Sequence, residues 1–205
     1  MMRRSVWLVV STIFFAVVVG YATTVRHYDL LGIVAKSERI FVGKCLSVEE
    51  RELEFPRGSI WYTEYTFLVS ERIKGSVGQT ITFRQYGLTK PRRLDDDTIL
   101  YNHPIGMPIY EVDQEYMLFL LGDSKLGLTG PVGLFQGAFL IYRDDRAKEV
   151  AVNPLQNRGL FQGTSEKALA GFGFSANEER VLASKKGPFD LKDFVSVVKK
   201  LARAN

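Results

Sequence analysis

Cysteine is nearly absent, since Cys45 is the only one in 205 residues. A single thiol cannot form an intramolecular disulfide, so the stability of this chain must come from an apolar core. The aromatic content of 12% suits such a core because each buried ring removes a large apolar area from water. Cys45 itself is predicted to be a small apolar residue within a strand.

Histidine is almost as scarce, with only His27 and His103 in the chain. Neither has a partner at the spacing typical of metal sites, and neither a Gly-x-Ser-x-Gly elbow nor a phosphate-loop spacing occurs. We therefore predict no catalytic residues, no cofactor and no metal site. The alternative is a metal site that combines His103 with Glu111 or with the Asp95–Asp97 run, which we interpret as a solvated acidic turn.

The chain also has no large excess of charge of one sign. The formal net charge is +4, and Arg3 and Arg4 contribute half of it. No stripe of lysine and arginine is interleaved with aromatic residues, as is typical of nucleic-acid-binding surfaces. The sequence therefore predicts no nucleic-acid partner.

The first 22 residues have the pattern of a secretory signal peptide. Arg3 and Arg4 form a basic head, Val6–Val19 an apolar run, and Gly20-Tyr21-Ala22 a small-residue cleavage site. We expect cleavage before Thr23 and export to the periplasm or the extracellular medium. The alternative is a retained anchor, because a membrane span needs about 20 apolar residues.

Alternating apolar and polar residues predict a mainly β chain. The first strand is expected over about 39–50, with a turn at Pro56-Arg57-Gly58 that makes a hairpin with the second. The second strand has the clearest alternation, from Trp61 to Val69. Four further strands bring the total to about six: 80–86, 116–121, 138–142 and 150–152.

Helices are expected on either side of these strands. Asp29 is placed to cap a short helix, and Asp190 a final amphipathic helix whose apolar residues recur at helical spacing. Residues 157–188 are interpreted as an irregular surface extension. The predicted organisation is a signal peptide at 1–22, a β domain at 23–160, and a C-terminal extension at 161–205 that ends in a packed helix.

Several short pieces of the chain carry a family resemblance. They are Ile40-x-Val42-Gly43-Lys44, Thr63-x-Tyr65-x-Phe67-x-Val69, Arg84-Gln85-Tyr86-Gly87, Tyr116-x-Leu118-Phe119-Leu120 and Gly133-Leu134-Phe135-Gln136-Gly137. Through them the chain resembles uncharacterised exported bacterial domains of the netrin-like and tissue-inhibitor-of-metalloproteinase group. The resemblance implies an OB-like small β-barrel of about six strands with a short N-terminal helix and a C-terminal helix. Inhibitors of that group chelate a target's zinc through an N-terminal cysteine, whereas this chain has Thr23 at the expected position.

The regular pattern disappears between Leu88 and Gln114. Loops of this length are uncommon in compact domains and are often functional. We therefore predict a binding loop here, and the alternative is an inert cover with Ile105, Met107 and Ile109 turned inward. The candidate contact residues are Lys90, Arg92, Arg93, Asp95, Asp96, Asp97, Tyr101, His103 and Tyr110.

These features together predict an exported, non-enzymatic binding or interaction domain. Its expected partner is an unknown protein or envelope component, with membrane contact only through the signal peptide. Two alternatives stay open: a hydrolase or metal-dependent enzyme assembled from the long loops, and a protease-inhibitor-like protein without the N-terminal cysteine.

Overall fold

The structure is a computed structural model that describes residues 26–94, 97–164 and 169–204. The predicted signal peptide lies outside these residues, as do Asp95 and Asp96. Among the described residues, no helix has the length and apolar character that crossing a membrane requires.

The centre of the molecule is one antiparallel sheet of seven strands in the order β3-β2-β1-β6-β7-β8-β9. A separate two-stranded ribbon pairs β4 with β5. The strands are β1 (Arg39–Phe55), β2 (Gly58–Lys74), β3 (Thr80–Tyr86), β4 (Arg92–Arg93), β5 (Ile99–Leu100), β6 (Glu115–Leu120), β7 (Ala138–Arg143), β8 (Glu149–Val152) and β9 (Phe189–Asp190).

Within the residues that the structure describes, three α-helices accompany the sheet: α1 (Leu30–Lys36), α2 (Ala176–Ala183) and α3 (Leu191–Arg203). Two short 3-10 helices cover Leu134–Gly137 and Ala170–Phe172. The predicted caps are confirmed, because the Asp29 side chain accepts from the Gly32 amide and the Asp190 side chain from the Asp193 amide. These bonds satisfy amide groups that the first turn of a helix leaves without partners.

The two faces of the sheet bury two different cores. We call the first the helix-side core, because α1 and α3, the latter with Phe194, pack there on strand residues of β1, β6 and β7, among them Ile40, Met117, Phe119 and Phe139. We call the second the aromatic core, in which rings from β1, β2, β3 and β6 meet Tyr110. Its members include Phe41, Cys45, Tyr65, Phe67, Phe83, Tyr110, Tyr116 and Leu118.

The prediction of a mainly β chain with flanking helices is confirmed, and each of the six predicted strands is present. Barrel closure is not confirmed. Among the described strands, β3 and β9 stand at the two ends of the sheet and do not pair with each other. β7 and β8 extend the sheet beyond β6, where Phe139 and Ala151 join the helix-side core.

The first hairpin is longer than the sequence indicates. β1 continues to Phe55 and pairs with β2 along its whole length, through register shifts near Ile40, Val42 and Cys45. The charged residues from Glu49 to Glu54, expected at a strand end, therefore lie within a two-stranded ribbon. Cross-strand pairs keep such a ribbon together even where little of it is buried.

A polar connection ties the start of the described chain to the sheet. Gln136 accepts from the Tyr28 amide at 2.9 Å and donates to the Arg26 carbonyl at 2.9 Å. Asn153 in turn donates to the Gln136 carbonyl at 3.3 Å. Through these contacts the Gln136 and Asn153 side chains satisfy backbone groups of the segment before α1 and of the turn before β7.

Helix α2 lies within residues 157–188, which the sequence predicts to be irregular, so that prediction is wrong at this point. Ser175 and Glu178 form a capping box at its start. The Glu178 side chain is buried, and it accepts from Lys200 Nζ and Ser196 Oγ on α3 at 2.6 Å each. Burial disfavours the charged carboxylate, but hydrogen bonds from Lys200, Ser196 and Ser175 outweigh it and lower the pKa of Glu178 from 4.5 to about 2.

We predict that Glu178→Gln destabilises the fold by about 2 kcal/mol at pH 7, because it removes charge-assisted bonds between α2 and α3. A carboxylate with a lowered pKa stabilises the folded state above its unfolded pKa, and that contribution is lost as the pH falls. The difference from wild type should therefore narrow from pH 5 to pH 2 in urea unfolding. Glu179→Gln, an exposed change on the same helix, is the control, and a difference that is constant with pH would contradict the prediction.

Candidate recognition surface

The segment between β3 and β6, residues 87–114, begins at a turn that only glycine fits. Gly87 has φ +104°, and a Cβ atom there would lie 2.8 Å from the Asn102 carbonyl oxygen. The next residue, Leu88, is buried and donates its amide to Asn102 O at 2.6 Å. The two ends of this excursion are therefore joined at its base.

His103 holds the same base together. Its Nδ1 lies 3.0 Å from the Leu88 carbonyl oxygen, and its Nε2 lies 2.9 Å from that of Met107. Both ring nitrogens are thus occupied by the backbone of the segment itself. The ring thus joins three parts of the loop to one another, and the contact role of the partly exposed His103 stays a prediction.

Tyr110 is also not at the surface. The residue is 1% exposed, and its ring centroid lies 4.8 Å from that of Tyr65 and 5.2 Å from that of Tyr116. Edge-to-face contacts of this kind stabilise aromatic clusters beyond the area that they bury. The predicted contact role of Tyr110 is therefore wrong, and the residue anchors the end of the segment in the aromatic core.

The first part of the segment, which contains Thr89 and Arg92, contacts the β1–β2 ribbon. Glu50 accepts from the Thr89 amide at 2.9 Å and from the Thr89 hydroxyl at 2.6 Å. Burial opposes the charged form of Glu50, but these hydrogen bonds outweigh it and lower its pKa. The Arg92 guanidinium carbon lies 4.1 Å from the centroid of the Trp61 ring, within the range of a cation–π interaction.

The tip of the segment is the ribbon of β4 and β5. The Leu94 amide donates to the Thr98 carbonyl at 2.8 Å, and Arg93 forms an ion pair with Asp97. Lys90 is exposed, whereas the predicted contact residues Asp95 and Asp96 lie outside the described residues. Of the predicted cations, Arg92 and Arg93 thus have partners within the chain.

Large apolar side chains project from this tip into solvent. Ile99 is 68% exposed, Tyr101 69% and Ile105 94%. The alternative in which Ile105 turns inward is therefore wrong, and Tyr101 is a predicted contact residue that is exposed. Sequence reasoning missed Ile99, although the β-branched and aromatic side chains of Ile99 and Tyr101 were a signal for a short strand.

A groove of about 360 Å³ adjoins the end of the segment. Pro108 and Ile109 form one wall, Leu140 and Pro154 another, and Ile109 and Leu140 are partly exposed. The apolar surface of the tip is thus accompanied by a concave apolar surface at the base.

Other chemistry is confined to isolated groups in the described part of the chain. No three histidine, cysteine, aspartate or glutamate side chains there are placed to hold a metal ion. Cys45 is fully buried, and burial raises the pKa of its thiol to about 11, as its predicted apolar role requires. His27 contacts the Gly159 carbonyl at 3.1 Å and so lies in a different environment from His103.

Comparison with protein-family models, with curated proteins and with solved structures found no match for this chain.

We predict that Tyr110→Phe leaves stability unchanged or raises it by up to about 1 kcal/mol. The Tyr110 hydroxyl is buried without a hydrogen-bond partner among the described residues, so its removal relieves a desolvation cost. Tyr116→Phe is the matched variant: it removes the acceptor of the Glu111 amide, at 3.1 Å, and should cost about 1 kcal/mol. Equal losses in both variants, measured by urea unfolding, would contradict this account of the anchor.

Proposed function

We propose that this protein is a non-enzymatic binding domain whose recognition surface is the 87–114 segment. The observation that carries the proposal is the exposure of Ile99, Tyr101 and Ile105 on a segment with a fixed base. Exposed apolar residues on an anchored loop favour recognition. Their burial against a partner lowers the free energy, and a loop with a fixed base loses little conformational entropy on binding.

The construction of the base supports this proposal. Leu88 and Tyr110 are buried, and His103 and Glu50 hold the segment by backbone contacts. A loop that served only as a cover would direct its apolar side chains inward. Here the anchoring residues and the exposed residues are separate sets, which is the arrangement expected when a scaffold presents a binding loop.

The proposed fold family is the OB-like, netrin-like group. Beyond β3, the Thr129 amide donates to the Arg84 carbonyl at 2.8 Å, and Leu128 forms an isolated bridge with Arg84. A second bridge joins Pro131 to Leu120 at the end of β6. These contacts support a partial closure from β6 to β3 around the aromatic core, in the manner of a small open barrel.

We further propose that the domain acts after export, in the periplasm or the extracellular medium, on a protein or envelope component rather than on nucleic acid. The support for export is the basic head, apolar run and small-residue site within residues 1–22. The support for a protein partner is the apolar and aromatic character of the exposed residues, since aromatic side chains are enriched in protein interfaces.

The test combines stability with capture of envelope and medium proteins by the immobilised domain. Ile99→Ser with Tyr101→Ser should abolish capture at an unchanged melting temperature, because both side chains are exposed. The control is Leu68→Ser with Leu126→Ser, which removes two exposed leucines outside the segment. Capture that survives the first pair, or that is lost equally in the second, would contradict the proposed surface.

A further inference from the structure

Among the described strands, none lies beside the outer edge of β1 over about half of its length. On this side β6 pairs with β1 only from Arg39 to Lys44, and Cys45 adds two backbone bonds to Gln114 and Asp113. From Ser47 to Phe55 the strand continues with β2 on its other side. Within the described chain, no backbone group bonds to this outer edge, so about every second residue presents an unpaired amide and carbonyl there.

The free edge carries a strong local charge. Ser47–Phe55 contains four glutamates and one arginine, a formal charge of −3 in a chain whose total is +4. Glu49 pairs with Arg51, and Glu50 accepts from Thr89. Glu52 accepts from Ser59, whereas Glu54 forms no hydrogen bond or ion pair within the described part of the chain.

The negative charge of this edge favours an incoming strand that carries positive charge. A second copy in antiparallel pairing centred on Arg51 would place Glu50 opposite Glu52, and like charges directly opposite are unfavourable. Pairing centred on Glu52 would place Glu50 opposite Glu54. An incoming strand with lysine or arginine side chains would instead meet glutamates while its backbone fills the open bonds.

We propose that the outer edge of β1 from Ser47 to Phe55 binds an extended basic segment of a partner protein by strand addition. The backbone bonds would supply affinity that is independent of sequence, and the glutamates would select for positive charge. Glu50 belongs both to this edge and to the base of the 87–114 segment, so the variants below change Glu52 and Glu54 instead.

The probe is a ten-residue peptide of alternating lysine and valine. We expect it to protect backbone amides between residues 47 and 55 from hydrogen exchange. The same peptide with every second amide N-methylated keeps its charge but cannot complete a ladder, and a version with glutamate in place of lysine has the wrong sign. Neither should bind measurably at the same concentration.

Charge reversal gives the matched protein variants. Glu52→Lys with Glu54→Lys should weaken binding of the lysine peptide by roughly tenfold, because two cross-strand pairs become repulsive. Asp145→Lys with Glu179→Lys makes the same change in total charge at exposed sites away from the edge and should leave affinity within about twofold.

Three results would overturn the proposal. Equal binding of the N-methylated peptide would mean that charge attraction acts without strand addition. Protection that maps to residues 87–114 would assign the peptide to the other surface, and equal weakening in both pairs of variants would remove the role of Glu52 and Glu54. Capture by the 87–114 segment is scored in its own assay and does not depend on any of these results.

Discussion

The rest of the fold depends on β6 and the adjoining half of β1, because this part of the sheet is buried on both faces. β6 has Met117 and Phe119 in the helix-side core and Leu118 and Leu120 in the aromatic core, and all four are 0% exposed. Burial of each such side chain contributes about 1.5–3 kcal/mol. The adjoining half of β1 is divided in the same way, so the helices and the 87–114 segment pack on opposite sides of the same two strands.

Burial of this part of the sheet on both faces explains how the long 87–114 segment is held at its ends. Tyr110 and Leu88 are side chains of the segment, but they are packed as firmly as those of the strands. Only the part between them, with β4, β5 and Ile105, projects from the core. The proposed binding surface is therefore an extension of the aromatic core, and the conformational entropy lost on binding a partner is limited to the tip.

The sequence predicted the strands in which each face is either clearly buried or clearly exposed. β2 alternates clearly because one face is buried, and β6 reads as a continuous apolar run because both faces are. The Ser175 and Glu178 spacing is a capping-box signal that could have predicted α2. The length of β1 was harder to predict, since five of the six residues 49–54 are charged and lie on a ribbon that has little core to cover.

The sequence predicted where the candidate site lies but not which of its residues are exposed. Composition indicated that residues 88–114 are irregular, yet it could not separate anchors from exposed residues, because Tyr101 and Tyr110 are chemically alike. Their difference arises from tertiary contacts: Tyr110 meets Tyr65 and Tyr116, whereas Tyr101 is 69% exposed. The two ring nitrogens of His103 similarly lie against the carbonyls of Leu88 and Met107, which composition alone does not indicate.

Hydrogen exchange of the free protein, resolved by residue, tests most directly the claim that a firmly anchored segment presents an exposed tip. The amides of Leu88, Thr89 and Glu111, whose partners are Asn102, Glu50 and Tyr116, should exchange slowly, at rates approaching those of β6. The amides around Tyr101 and Ile105 should exchange much faster. Fast and uniform exchange across residues 87–114 would contradict the account, because it would mean that the aromatic core does not hold the segment in place.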